Sequence, residues 1–223
     1  MTDQGNPLLR LAAPGLARLQ PYVPGKPVSE LERELGISDS VKLASNENPL
    51  GPSPAVQAAI ATALGELARY PDGGGFELRR ALAEHHRTSA AMLTLGNGSN
   101  DVLDLVARAF LHPGVEAVFS EHAFAVYPIS TQAAGARARV APARDYGHDL
   151  EAMRALVNDR TRVVWIANPN NPTGTWLRSV ALHAFIASLP ETCLVVVDEA
   201  YTEYVEDAAD PDAIHWPAWV HSL

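Results

Sequence analysis

A single cysteine, Cys193, stands among 223 residues. That excludes an internal disulfide and a thiolate cluster for zinc. Its setting in the apolar run CLVVV suits a small buried hydrophobe, not a reactive thiol. Lysine is almost as scarce, with Lys26 and Lys42 alone. Neither follows a G-x-x-x-x-G-K-[ST] loop, so VVVDEA at 195–200 is not the acidic element of a P-loop nucleotide hydrolase. Positive charge is in deficit, with a net charge of −9, which leaves no basic patch for nucleic acid or an anionic membrane. No apolar run approaches transmembrane length. The opening, MTDQGNPLLRLAAPGLARLQ, lacks a basic segment followed by a continuous apolar core, so no signal peptide is read and a cytoplasmic protein is expected. The eight histidines are scattered. The adjacent pair His85 and His86 would point about 100° apart on a helix, so no metal site is expected.

What remains is ordinary for a soluble globular chain, 47% hydrophobic and 19% charged. Residues 1–28 are rich in Pro and Gly and read as an extended arm. Ser29 with Glu32 predicts a capping box for a short helix over ELEREL. VKLAS at 41–45 reads as a short strand. Ser53 and Pro54 predict the start of a helix running to Tyr70. PDGGG is a turn, and FELRRALAEHH another helix. From residue 91 short apolar strands alternate with helices. The strands are MLTL, EAVFS, ARARVAP, RVVWIAN and CLVVVDE, and the helices fall near 100–111, 124–134, 149–157 and 178–189. Such alternation implies an α/β fold with a mixed, mostly parallel sheet flanked by helices, and ligands beyond the carboxyl ends of its strands.

Three motifs fall at those ends. LGNGSNDVLDLVARAF at 95–110 is a strand, a Gly-rich turn and an amphipathic helix start, where free N–H groups and the helix dipole favour an anion. Any tight strand-to-helix turn wants glycine as well, and Asp101 replaces the third glycine of a dinucleotide fingerprint. ANPNNPTGT at 167–175 puts three asparagines at a strand end, to stabilise the turn or to offer amides to a ligand. VVVDEAY at 195–201 ends a buried strand on Asp198, a carboxylate that needs a cationic or hydrogen-bonding partner.

In this order KLASNENPLGPSP, RYPDGGGFELRRAL, LGNGSNDVLDLVARAF, NPNNPTGT and VVVDEAYTEY resemble the fold-type I pyridoxal-phosphate (PLP) aminotransferases. Within them the chain is most similar to the histidinol-phosphate aminotransferase family. The resemblance runs from about Tyr22 to Tyr204. It implies that Asp198 faces the pyridine nitrogen of PLP, that Asn171 and Tyr201 hydrogen-bond its phenolic oxygen, and that Ser99 and Asn100 hold its phosphate. It places Phe124 on the ring face and Tyr70 on the phosphate of a neighbouring subunit, which requires a homodimer with shared sites. Tyr22 and Asn46 would touch the substrate, a phosphorylated amino acid or keto acid. Phe124 also suits a helix core, Tyr70 a helix end, Tyr22 packing in a Pro-rich arm, and Glu199 support of its loop.

The resemblance also implies a Schiff-base lysine downstream of DEAY, and none stands there. No catalytic residue is therefore assigned, and Lys26 and Lys42 read as surface lysines. The expected organisation is an N-terminal arm and the start of a small domain over 1–45, then an incomplete PLP-binding large domain over 46–223. The C-terminal small domain is absent, so the chain reads as the N-terminal portion of such an enzyme. The implied reaction converts imidazole-acetol phosphate and glutamate to histidinol phosphate and 2-oxoglutarate. An aromatic aminotransferase, a threonine-phosphate decarboxylase or a non-catalytic fragment are the alternatives.

Overall fold

The computed structural model describes residues 11–13, 15–16, 19–22, 25–205 and 221–222. They divide into two units, one drawn from Met1–Pro21 and Ala83–Leu223, the other being Tyr22–Leu82.

The smaller unit carries α1 (Val28–Leu35), α2 (Pro54–Ala63) and the start of α3 (Phe76–His85). None of these helices buries a residue. The capping box expected of Ser29 does not form. Pro27 is the N-cap, Ser29 lies inside the helix, and Glu32 accepts from the Ser40 amide at 3.3 Å instead. Ser53 does cap α2, accepting from the Val56 amide at 3.3 Å, with Pro54 behind it. The helix stops at Ala63 and tightens into a 3₁₀ turn over Leu64–Glu66, where Gly65 weakens further propagation. The expected helix to Tyr70 is thus shorter. VKLAS forms no strand, because no ladder partner lies beside it among the described residues and its last residue, Ser45, turns at φ 69°.

In the larger unit, α4 (Ser99–Phe110), β1 (Glu116–Ser120), α5 (Val126–Ala133) and β2 (Arg137–Ala141) come first. A hairpin of β3 (Ala143–Arg144) and β4 (Gly147–His148) follows, then α6 (Leu150–Leu156), β5 (Thr161–Ala167), α7 (Ser179–Ala187), β6 (Leu194–Asp198) and β7 (His221–Ser222). The main sheet has the order β2-β1-β5-β6-β7, and every described pairing in it is parallel. The mixed character expected from the sequence does not show in these five strands. MLTL stays outside the sheet, with a 3₁₀ turn at Ala90–Met92 leading into extended chain. Alternation assigns faces, not neighbours, so it could not reveal that this segment has no ladder. The hairpin was not foreseen. Its turn residues Asp145 and Tyr146 both take positive φ, 51° and 62°, without the glycine that usually signals such a turn.

The period of two along the strands builds two cores. Val118, Val164, Ile166, Val195 and Val197 point to one face and pack with Met153 of α6 and Leu182, Phe185 and Ile186 of α7. Ala117, Phe119, Val163, Trp165, Ala167 and Val196 point to the other, under Leu103 and Ala107 of α4 and Tyr127 of α5. Burying each large aliphatic side chain stabilises the layers by about 1.5–3 kcal/mol. Cys193 lies half-buried beside the first core, and burial pushes its thiol up to about 11, so it stays protonated.

Candidate functional site

Strand β6 reads Val195, Val196, Val197, Asp198. Alternation puts Asp198 on the face of Val196, under α5. It is 4% exposed. The Tyr127 hydroxyl donates to its Oδ2 at 2.9 Å, and the Ala200 amide donates to its Oδ1 at 3.2 Å. No cation pairs with it among the described residues. Burial therefore raises its pKa above the usual carboxylate value, while the two hydrogen bonds hold it down.

Tyr127 is wholly buried. Its ring stacks on Trp165 at 5.4 Å and 7°, and Phe124 meets it edge-on at 5.9 Å and 89°. Burial first, then the Asp198 charge, raises the phenol's pKa well above normal, so it remains a donor. Phe124 lies in the turn just before α5, and the helix begins two residues later than expected.

The neighbouring strand β5 ends at Ala167, which pairs with Asp198. Beyond it the Asn168 amide donates to the Asp198 carbonyl at 2.9 Å, tying the asparagine loop to the end of β6. Each asparagine has its own role. Asn168 bridges the loop, accepting from the Leu177 amide at 2.7 Å and donating to the Leu177 carbonyl at 3.1 Å. Asn170 is buried and donates to the His122 carbonyl at 3.0 Å and the Thr173 hydroxyl at 2.8 Å. Asn171 donates to the Tyr201 hydroxyl at 3.3 Å, which brings together two of the predicted site residues. His148, also buried, contacts the Ala167 carbonyl through Nε2 at 2.8 Å. A carbonyl accepts only, so Nε2 carries the proton. Burial lowers the imidazole's pKa.

Helix α4 leads through a short turn into β1 and packs across β5 through Leu103 and Ala107, so it runs against the strands. Its first residues, Ser99 and Asn100, face the edge where the strands end. Gly98 is the N-cap, with φ 74°, and no side chain caps the helix. A Cβ at Gly98 would meet nothing within 4 Å, so it is the positive φ, not crowding, that favours glycine there. Gly96 is different. A Cβ there would come within 2.9 Å of Asp101 Cβ and 3.0 Å of Val102 Cγ2. Asp101 closes the turn by accepting from the backbone and side chain of Asn97, both at 2.9 Å, and the backbone bond foremost lowers its pKa.

The larger unit links Asp198 to Phe124 through Tyr127, and Asn171 to Tyr201, beside the ends of β5 and β6, and it carries Ser99 and Asn100 at the start of α4. Tyr22, Asn46 and Tyr70 lie in the smaller unit. There Tyr70 is fully exposed, Tyr22 is largely so, and Asn46 turns at φ 51°. Lys26 pairs with Glu30 and Glu34, and Lys42 with Glu47 at 2.5 Å. Lys42 is more sheltered than a surface lysine, with 19% of its side chain exposed. Sequence reasoning missed Tyr127 and His148. Tyr127 stands three residues after Phe124, about one turn on in the helix expected over 124–134, a spacing that could have exposed it.

Residues 38–221 match the family described as aminotransferase class I and II. The chain is 63% identical over 212 residues to histidinol-phosphate aminotransferase 2 of Pseudomonas aeruginosa, covering 94% of this chain and 58% of that protein. It is 58% identical to histidinol-phosphate aminotransferase 2 of Methylococcus capsulatus, covering 92% of this chain and 57% of the relative. The chain thus spans a little over half the length of these relatives. Among solved structures it is similar to histidinol-phosphate aminotransferase from Sinorhizobium meliloti in complex with pyridoxal-5'-phosphate. The TM-score is 0.79 at 31% identity, over 95% of this chain and 55% of that one. A further neighbour, N-succinyldiaminopimelate aminotransferase from Mycobacterium tuberculosis, gives a TM-score of 0.65 at 29% identity, over 78% and 48%.

Proposed function

The chain belongs to the aminotransferase class I and II family, and on that premise we propose that its protein is a PLP-dependent transaminase interconverting imidazole-acetol phosphate and histidinol phosphate, with glutamate as amino donor. One observation carries the reading. Asp198 is a buried carboxylate where β6 ends, with only neutral donors to it among the described residues. A protonated pyridine nitrogen is the cation it lacks.

The other donors suit the same cofactor. The uncapped start of α4, with Gly98 before it, suits a phosphate dianion at the amides of Ser99 and Asn100. Phe124 supplies an aromatic face. Asn171 and Tyr201 supply an amide and a hydroxyl for a phenolic oxygen. When bound, PLP supplies an electron-withdrawing ring that eases removal of the substrate's Cα proton. Asp198 keeps the ring nitrogen protonated. Tyr201 and Asn171 hold the oxygen beside the reacting carbon. The apolar floor of Trp165 and Tyr127 keeps water from the carboxylate.

The remaining assignments extend this reading. Tyr70 reaches the cofactor phosphate of a second copy in a homodimer, and Tyr22 and Asn46 meet the phosphorylated substrate. The lysine that holds the cofactor covalently lies outside these 223 residues, since Lys26 and Lys42 are engaged with glutamates of the smaller unit. The protein works in the cytoplasm. Among the described residues no helix is long and apolar enough to cross a membrane.

The test is turnover by the full-length protein reconstituted with PLP, with histidinol phosphate and 2-oxoglutarate as substrates. Glutamate formation is expected, at a far higher kcat/KM than with tyrosine or phenylalanine. A preference for the unphosphorylated aromatic amino acids, or failure to bind PLP, overturns the assignment.

A further inference from the structure

The Asp198 carboxylate is held by a side chain that none of the predicted site residues includes. We propose that Tyr127 is a positioning residue that keeps Asp198 ionised and aimed at the cofactor's ring nitrogen. The proposal rests on the PLP reading and adds the device by which this chain maintains the charge that the reading needs.

Tyr127 is wholly buried and does two things at once. Its hydroxyl donates to Asp198 Oδ2 at 2.9 Å. Its ring is wedged between Trp165, stacked at 7°, and the edge of Phe124. Packing of the ring against Trp165 and Phe124 fixes where the hydroxyl oxygen stands beside Asp198. The bond also spans 71 positions of sequence, so it joins α5 to the end of β6. Phe124, the ring assigned to the cofactor's face, is therefore fixed by the same side chain that orients the carboxylate beneath it.

The chemistry favours a neutral donor here. A cation at this place would satisfy Asp198 and remove its attraction for a pyridinium. A phenol lowers the cost of burying the carboxylate without cancelling its charge. Its own pKa is raised, so it does not compete as a base. Among the described residues the other groups around Asp198 are few. Ala200 gives an amide, and Ala167 on β5 is the register partner, its carbonyl held by neutral His148. Strand β7 pairs with Val196 and Val197, short of Asp198. Glu199 and Tyr201 follow in the chain.

The experiment uses full-length protein, wild type and Tyr127→Phe, which keeps the ring and its stacking. In the apo form, ¹³C NMR follows the titration of the Asp198 carboxyl. In the PLP form, ¹⁵N NMR of labelled cofactor follows the ring nitrogen, and PLP affinity is measured alongside. The Phe variant should move the Asp198 midpoint to higher pH and the ring nitrogen towards its unprotonated shift, and should weaken PLP by roughly tenfold. Thermal unfolding identifies a folding failure, and Tyr127→Trp with its ring N–H then serves as the second variant. An unchanged Asp198 midpoint in folded apo protein overturns the coupling. An altered midpoint with an unchanged ¹⁵N shift overturns the role toward the cofactor. Absence of PLP binding by the wild type overturns the PLP reading itself, and leaves the apo titration to judge the Tyr127–Asp198 coupling.

Discussion

Two carboxylates are buried in the main sheet, at opposite edges, and they are kept in different ways. Glu116 opens β1 at the edge where the strands begin and is 1% exposed. Asn158 donates to its Oε2 at 2.8 Å, Arg160 approaches Oε1 at 3.1 Å, and Arg139 lies 3.7 Å from Oε2. Asp198 closes β6 at the edge where strands end, and has a phenol and an amide but no cation among the described residues. A buried charge paired within the chain holds structure together. One left with neutral donors is destabilising in the free protein and attractive to a cationic ligand. The cavity of about 590 Å³ beside Glu116, lined also by Pro128, Gln132, Arg137 and Arg160, belongs to the paired edge. It stands away from the residues assigned to the cofactor.

The contrast can be broken most strongly at Asp198. In the full-length protein Asp198→Ala should lower kcat for transamination by roughly 10²–10³-fold, since preorganised charge at a reacting group is worth that much. Steady-state kinetics with saturating PLP checks it, and Asp198→Asn should fall almost as far with shape preserved. Retention of most of kcat would remove Asp198 from the mechanism. At the other edge Glu116→Ala should leave PLP affinity unchanged and cost about 1–3 kcal/mol of stability in denaturant unfolding. The figure is held below that of a deeply buried pair because Arg160 and Arg139 regain water, with 57% and 29% of their side chains already exposed.

The same comparison gives a stability test with the sign reversed. The folded-state pKa of Asp198 is raised by burial. Stability linked to it is present below the unfolded value near 3.8 and is lost as pH rises through the raised value. Apo Asp198→Asn should therefore unfold at a higher temperature than wild type at pH 7, by about 1 kcal/mol of stability, with the gap closing as the pH is lowered towards 4. A gap that does not vary with pH would mean that the carboxylate is not the source. The smallest effect is expected at His148. Its pKa is lowered, so its contribution is present above 6.5 and lost as pH falls through the depressed value. His148→Gln should flatten the decline in melting temperature below pH 6.5 by a few tenths of a kcal/mol, roughly the worth of a weak hydrogen-bond change.

Much of the larger unit was legible in the residues. Runs such as VVWIA and LVVVD are apolar on both faces, which is the mark of strands covered by helices on both sides, and the structure puts their alternate residues in two separate cores. That Asp198 needs a partner was legible from a carboxylate after three valines, and the structure supplies the Tyr127 hydroxyl and the Ala200 amide. The glycine turn before α4 was legible as a helix start, which the structure places at Ser99, whereas the phosphate role of Ser99 and Asn100 came from the resemblance. The segments MLTL and VKLAS were misread as strands because a strand exists only where a neighbour completes its ladder. The capping box at Ser29 failed because the helix starts two residues early, with Pro27 as its N-cap. The hairpin at 143–148 escaped because Asp145 and Tyr146 adopt positive φ without glycine.

Local sequence thus determined which polar residues stand at the strand ends, since residue type and strand-end position follow from covalent structure and side-chain period alone. Partnership was decided by the tertiary fold. Tyr127 and Asp198 are 71 positions apart, and Asn171 and Tyr201 are 30 apart. Only parallel strand order and helix packing place those pairs within hydrogen-bond reach. The fold likewise gave Glu116 its arginines and, among the described residues, gave Asp198 none. The charge state of a buried carboxylate depends on what surrounds it in space, and no stretch of sequence contains that environment.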